Sequence, residues 1–250
     1  VDLFGPEAHD AWLSWCIDSV LPRTMHDVEE WEHDPSEWVM QREDSSMKAS
    51  GLRGNAEMLV LALAADATHA VALCEKVLAH ATAATSSVVA AVSAVAAGTV
   101  EADALSSQLL ACEAAWLGLG LVAPDAIARG VMSEAGVVAW LNEAVLPALY
   151  LCGASAAVLQ MVQSLTSAPM GGAGAFPEDL DFSPFVAFAT SAAAHVDVAI
   201  TQAPAPCGIL ANRILWCLSV CMSLYPPALR ESLLHLATQL MTSESPLAIA

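Results

Sequence analysis

Residues 213–240 read Arg213-Ile-Leu-Trp-Cys-Leu-Ser-Val-Cys-Met-Ser-Leu-Tyr225-Pro226-Pro227-Ala-Leu-Arg-Glu-Ser-Leu-Leu-His-Leu-Ala-Thr-Gln-Leu240. Ile214, Cys217, Leu218, Cys221, Met222 and Tyr225 recur at i, i+3, i+4, i+7, i+8 and i+11, which is one face of an α-helix. Pro226-Pro227 turns the chain, and Pro227 suits a first helical position, where a missing N–H breaks no bond. Leu229, Leu233, Leu236 and Leu240 stripe a second helix. Such a pair cannot bury both stripes by itself and must stack on neighbours, the physical basis of an α-solenoid. The expectation is therefore an all-α chain: an α-α superhelix of stacked antiparallel helix pairs, with no rigid sequence period visible.

The rest of the chain extends this pattern. Ala8 to Leu21 reads as a helix with Trp12, Trp15, Cys16, Ser19 and Val20 on one face, ended by Pro22. Leu52 to Ala65 places Leu52, Ala56, Leu59, Val60 and Leu63 inward, and Arg53 and Glu57 stand one turn apart, close enough to pair. Asp66 is a candidate N-cap for a helix through His80. Thr82 to Gly98, built from Ala, Val, Ser and Thr, reads either as a short helix or as a surface insertion. Ala102 to Leu121 carries a stripe of Leu105, Leu109, Cys112, Trp116 and Leu119, with Pro124 expected just past its end. Gly136 to Leu151 follows, with Val138, Leu141, Val145 and Ala148 or Leu149 inward and Pro147 expected to kink or end it. Ser155 to Leu165 reads as helix, and residues 181–200 as a possible further one. Ser167 to Pro177 and Ala203-Pro204-Ala205-Pro206 read as linkers.

Of the residues, 56% are hydrophobic and only 6% aromatic. Much of the apolar content is alanine, which favours helix but buries little area per residue. The formal charge is −19, from 27 acids against 8 bases. That balance argues against direct nucleic-acid binding, which needs Lys and Arg, and favours basic partners. The seven cysteines include no C-x-x-C and sit among apolar helical residues, so free buried thiols are expected. Mean hydropathy is +0.56. The best membrane candidate, Val145 to Leu165, is uncharged but contains Pro147, Gly153, Gln160 and Gln163 and lacks flanking bases, so no membrane insertion is expected.

The densest charge lies at Asp27, Glu29, Glu30, Glu32, Asp34 and Glu37, interleaved with Trp31 and Trp38. Asp34-Pro35 disfavours helix at Asp34, so a short helical turn followed by an extended piece is expected. The acids are either a recognition site for a basic partner or a solvated face. Trp31, Pro35 and Trp38 are expected to anchor the segment, the indoles pinning it to neighbouring helices. Glu30-Trp31-Glu32-His33-Asp34-Pro35-Ser36-Glu37-Trp38 resembles a segment in the middle of importin-β (karyopherin-β) nuclear transport receptors, nearest to the importin eleven subgroup. The spacer Gln41 to Ser50, the helix start Gly51 to Glu57, Leu109 to Leu149 with Trp140-Leu141 and Leu146-Pro147, and Arg213 to Leu240 with Ile214-Leu215-Trp216 follow in the family's order.

That resemblance implies a HEAT-repeat solenoid coiled as a right-handed superhelix, and a middle fragment of a longer receptor. It implies basic protein cargo, Ran-GTP-dependent release, contacts with Phe-Gly nucleoporins through the full receptor, and a place in cytoplasm, nucleus and nuclear pore. It divides the chain into a helix completing an upstream repeat (1–22), an acidic linker (23–50), helical repeats (51–151), an insertion (152–206) and a repeat pair (207–250). No catalytic or cofactor residues are expected: there is no phosphate-binding Gly-Lys loop and no G-x-S-x-G elbow. No metal is expected either; His26 and His33 stand seven residues apart with no cysteine to join them. His195 and His235 read as packing or surface residues, and Trp12, Trp15, Trp116, Trp140 and Trp216 as core. Two other readings are a generic helical scaffold or adaptor and an integral membrane protein.

Overall fold

The computed structural model describes residues 5–34, 37–38, 51–66, 68–96, 99, 102–133, 136, 139–151, 204–225 and 230. Of these, 88% are helical and none lies in a strand. The helices are α1 (Pro6–Trp15), α2 (Met25–His33), α3 (Leu52–Ala65), α4 (Ala70–Ala96), α5 (Ala102–Ala128), α6 (Leu146–Leu151) and α7 (Pro204–Val220).

Helix α1 opens with Pro6 in its first turn and runs into a π turn, Cys16–Val20, where Leu21 N–H reaches back to Cys16 O at 2.8 Å. Its buried side is His9, Leu13, Cys16, Ile17 and Leu21. Trp12 and Trp15, expected in the core, are instead 41% and 44% exposed and pack edge-to-face on each other. The reason is the tightness of the contact: a Cβ on Gly118 would stand 3.2 Å from Ile17 Cδ1. An indole does not fit there, so the smaller Leu13 and Ile17 take the inward face.

Helix α4 continues unbroken through the Ala/Ser/Thr stretch, as far as Ala96. The hydroxyls of Thr82, Thr85 and Ser86 donate to the carbonyls of Leu78, Ala81 and Thr82 at 2.9–3.1 Å, so each polar side chain is satisfied inside the helix. Asp66 caps its start: the Asp66 carboxylate accepts Thr68 N–H at 3.0 Å and its carbonyl accepts Ala70 N–H at 2.9 Å. Helix α5 returns antiparallel to α4. Cys74 lies against Val122, Val77 against Gly118, and Thr85 against Cys112 and Trp116, so residue numbers fall along one helix as they rise along the other.

Helix α5 is the centre. Residues 112–120 are all buried, and α3, α4, α7 and the first π turn pack around it. A helix that is apolar all round is stable only when covered on every side. The stripe Leu105, Leu109, Cys112, Trp116 and Leu119 is buried as read. Pro124, expected past the end, lies inside the helix, with its ring on the exposed side while Val122, Ala123 and Ala126 hold the turn from within. The helix ends at Gly130, whose φ of +74° allows the left-handed cap.

A second π turn, Leu141–Val145, precedes α6, with Leu146 N–H bonded to Leu141 O. Each π turn ends two positions before a proline, Pro22 and Pro147, with one leucine between. Widening the turn moves carbonyls away from the ring that would clash with them, so the helix passes through Pro147 rather than ending. Pro204 to Pro206, read as linker, open α7 instead. Prolines in a first turn lack only N–H groups that have no intrahelical partner. In α7, Ile214, Cys217 and Leu218 are buried as read; a 3-10 turn, Cys221–Leu224, closes it, and Tyr225 OH donates to Leu218 O at 3.2 Å. Six cysteines are free and buried.

Two described segments are long and apolar enough to cross a membrane, Ala104–Ala128 and Ala205–Leu224, and 72% and 56% of their apolar windows are covered by the rest of the molecule. The candidate span Val145 to Leu165 lies outside the described residues beyond Leu151, as do the rest of the 152–206 insertion before Pro204, the Ser167–Pro177 linker, the spacer Gln41 to Ser50, and the second helix of the C-terminal pair apart from Arg230.

Candidate functional site

The acidic run folds first through its own chemistry. Thr24 Oγ1 accepts Asp27 N–H while Asp27 Oδ2 accepts Thr24 N–H, a reciprocal capping box that starts α2. Val28 and Trp31 face inward three residues apart. Asp34 leaves the helix in extended geometry (φ −153°, ψ 94°), as the following proline requires. Of the expected extended piece only Asp34 falls among the described residues before Glu37. Asp34 Oδ1 accepts Glu37 N–H at 2.9 Å and its carbonyl accepts Trp38 N–H, and Glu37 and Trp38 are helical. Pro35 itself lies outside the described residues.

Trp31 and Trp38 pack edge-to-face at 5.1 Å and are each 5% exposed. With Val28 they dock on Leu110 of α5 and on Ala205 and Ile209 of α7. Gly208 permits this contact: a Cβ there would stand 3.1 Å from Trp31 Cζ2. The indoles are anchors.

Anchoring turns one acidic face outward. Glu29, Glu30, Asp34 and Glu37 line a groove of about 350 Å³ with His26, His33 and Trp38. His26 stands 3.8 Å from a Glu29 oxygen and 3.4 Å from a Glu30 oxygen. Glu32 is exposed but outside the groove lining. Asp27, read as part of the recognition face, is turned inward: Arg23 Nη1 donates to Asp27 Oδ1 at 3.3 Å. Its capping and pairing duties remove it from the set facing solvent.

Behind this face lies a cluster that the sequence reading missed. Glu113, in the middle of α5, has no exposed surface. Arg213 Nε donates to Glu113 Oε1 at 2.9 Å, and Arg53 Nη2 lies 3.3 Å from both carboxylate oxygens. Arg53 also donates to Leu21 O and pairs with Glu57 at 3.6 Å. Burial alone would raise the Glu113 carboxyl; Arg53, Arg213 and Arg23 outweigh it and hold it down to about 2. Burial, with repulsion from Arg53 and Arg213, brings Arg23 down to about 10. Arg23 and Arg213 stack over Trp38 and Trp216, at 4.6 and 4.8 Å from the ring centroids. Three of the chain's eight bases thus gather near Glu113, balanced by Glu113, Asp27 and Glu57. The signal was present in the sequence: Glu113 is the one charged or polar side chain between Leu109 and Ala123, and an acid in so apolar a stretch demands a buried partner.

Burial pushes the Cys112 thiol up to about 12, and Cys217, hydrogen-bonded to Cys221 and buried, is also raised. Among the described residues, the group of three side chains placed to ligate a metal is not at His26 and His33 but at His9, Asp66 and His69. No known protein family, curated protein or solved structure matches the chain.

Proposed function

We propose that this chain is a non-catalytic helical binding module that receives a basic protein segment in the acidic groove of α2. The observation that carries the reading is the groove itself: Glu29, Glu30, Asp34 and Glu37 on one wall-like face, backed by the docked Trp31–Trp38 pair. A carboxylate surface held by a rigid hydrophobic footing is pre-organised, so binding loses little ordering entropy. The net charge of −19 steers basic partners toward the molecule.

The specific form of the proposal is a fragment of a HEAT-repeat nuclear transport receptor carrying basic cargo and released by Ran-GTP. Its support is the resemblance of Glu30 to Trp38 and of the segments that follow it in order. A generic adaptor shares the groove but not the Ran dependence.

The test is binding of a lysine- and arginine-rich peptide, followed by fluorescence anisotropy across a salt series. Glu29→Gln/Glu30→Gln/Glu32→Gln is expected to weaken binding and flatten its salt dependence, because screening shortens the reach of charge from about 10 Å at 0.1 M salt to about 3 Å at 1 M. Helical content is expected to stay the same, since exposed charges add little to stability. If the triple variant binds like the parent at low salt, the acids are a solvated face. Release of the peptide by Ran-GTP from the full-length protein separates the transport reading from the adaptor reading.

A further inference from the structure

Helix α1 and the α3–α4 corner bring together three side chains separated by 57 and 3 residues in the sequence: His9, Asp66 and His69. Their ligating atoms all lie within 4.8 Å of one another. His9 is 9% exposed, and its Nδ1 has no hydrogen-bond partner among the described residues. That atom stands 3.9 Å from Asp66 Oδ2, beyond hydrogen-bond range. A buried imidazole nitrogen without a partner is unfavourable unless something else satisfies it.

We propose that His9, Asp66 and His69 form a binding site for a divalent first-row transition metal ion, with Zn²⁺ as its representative. Each ligand is prepared for that role. Asp66 Oδ1 accepts Thr68 N–H at 3.0 Å, which fixes the carboxylate and leaves Oδ2 toward His9. His69 sits on the turn between the two helices, with its ring edge-on to His9 at 5.0 Å.

Two imidazoles and one carboxylate suit Zn²⁺, Co²⁺ or Ni²⁺; Mg²⁺ and Ca²⁺ prefer all-oxygen shells. Tetrahedral ligands at about 2.0–2.1 Å from the ion sit roughly 3.3 Å apart. The three atoms close to that spacing by small side-chain rotations, for which Asp66 and His69, both only partly buried, have room. Edge-to-face packing of the two rings is the competing explanation. It accounts for the ring angle, but not for the convergence of ligand atoms from both rings and the Asp66 carboxylate. With three protein ligands, a fourth position would be left for water or a partner's ligand. Occupied, the site fastens α1 to the α3–α4 corner.

The experiment is calorimetric titration of the chain with Zn²⁺, paired with Co²⁺ absorption spectroscopy and thermal melts. One ion per chain is expected, with a Co²⁺ d–d band of low-coordinate type and a melting temperature that rises with Zn²⁺ by mass action. His69→Gln, and separately Asp66→Asn, which keeps the Thr68 cap acceptor, are each expected to weaken binding by at least about tenfold, since even outer-shell changes cost that much. The melt should then no longer respond to Zn²⁺. His26→Gln/His33→Gln is expected to bind like the parent. Absence of saturable Zn²⁺ binding, binding that survives His69→Gln and Asp66→Asn, or binding lost in His26→Gln/His33→Gln would each overturn the assignment. None of these outcomes depends on the acidic groove binding a basic segment.

Discussion

At the residue scale, Glu113 decides more than any other charged group. It is fully buried and held by Arg213 and Arg53 from α7 and α3. Removing one partner from a buried ion cluster leaves the remaining charges uncompensated, which is costlier than never having buried them. Glu113→Gln is expected to destabilise the chain by about 3–5 kcal/mol in urea unfolding; a change near zero would mean that the arginines are already neutralised by solvent. The pH dependence has a fixed sign. Glu113's folded value of about 2 lies below its ordinary value of 4.5, so its contribution is fully present above pH 4.5 and is lost as pH falls toward 2. That contribution is roughly 3 kcal/mol. The parent should therefore lose more stability on acidification than Glu113→Gln does. Equal losses in the two proteins would remove Glu113 from the acid transition.

At the element scale, close approach of helices controls the packing. Gly120 faces Trp216 so tightly that a Cβ would overlap the indole, standing 2.7 Å from its Cη2. Gly120→Ala raises helix propensity by about 0.5–1 kcal/mol, so propensity alone predicts stabilisation. The contact predicts the reverse: Trp216 must leave its place beneath Arg213, or α5 and α7 must separate. A net loss of about 1–3 kcal/mol is expected, read as a lower urea midpoint with unchanged slope. A stabilised variant would show that Trp216 swings away freely. Trp31 answers the same logic for α2. Trp31→Ala should cost about 3–5 kcal/mol for a well-buried aromatic, while the exposed Trp12 should tolerate the change with little loss.

At the scale of the whole molecule, the net charge of −19 and the interior cluster respond differently to salt. Surface repulsion among acids is screened within about 10 Å at 0.1 M ionic strength, whereas buried pairs are screened far less. Added NaCl is thus expected to raise the melting temperature by a few degrees, as self-repulsion of a highly charged chain is relieved. A fall in melting temperature would mean that screened attractions outweigh that repulsion. Much of the helical content was legible in the sequence, because periodicity is local. The stripe Leu105–Leu119, the inward residues Ile214, Cys217 and Leu218, the cap at Asp66, the Arg53–Glu57 pair and the anchoring of Trp31 and Trp38 all follow from spacing or side-chain chemistry. Trp12 and Trp15 were misread because periodicity gives a face but not how close the neighbouring backbone comes. Pro124 and Pro204 were misread because a proline's effect depends on whether the lost N–H had a partner and whether the neighbouring turn can adapt. The sequence by itself determined an all-α chain with a solvent-facing acidic helix and buried thiols. Only the tertiary structure decided which helix is central, that Glu113 gathers arginines from three segments, and that His9 meets Asp66 and His69. Glu113 lies 60, 90 and 100 residues from Arg53, Arg23 and Arg213, and His9 lies 57 and 60 residues from Asp66 and His69; their meeting depends on how helices pack, which no local pattern encodes.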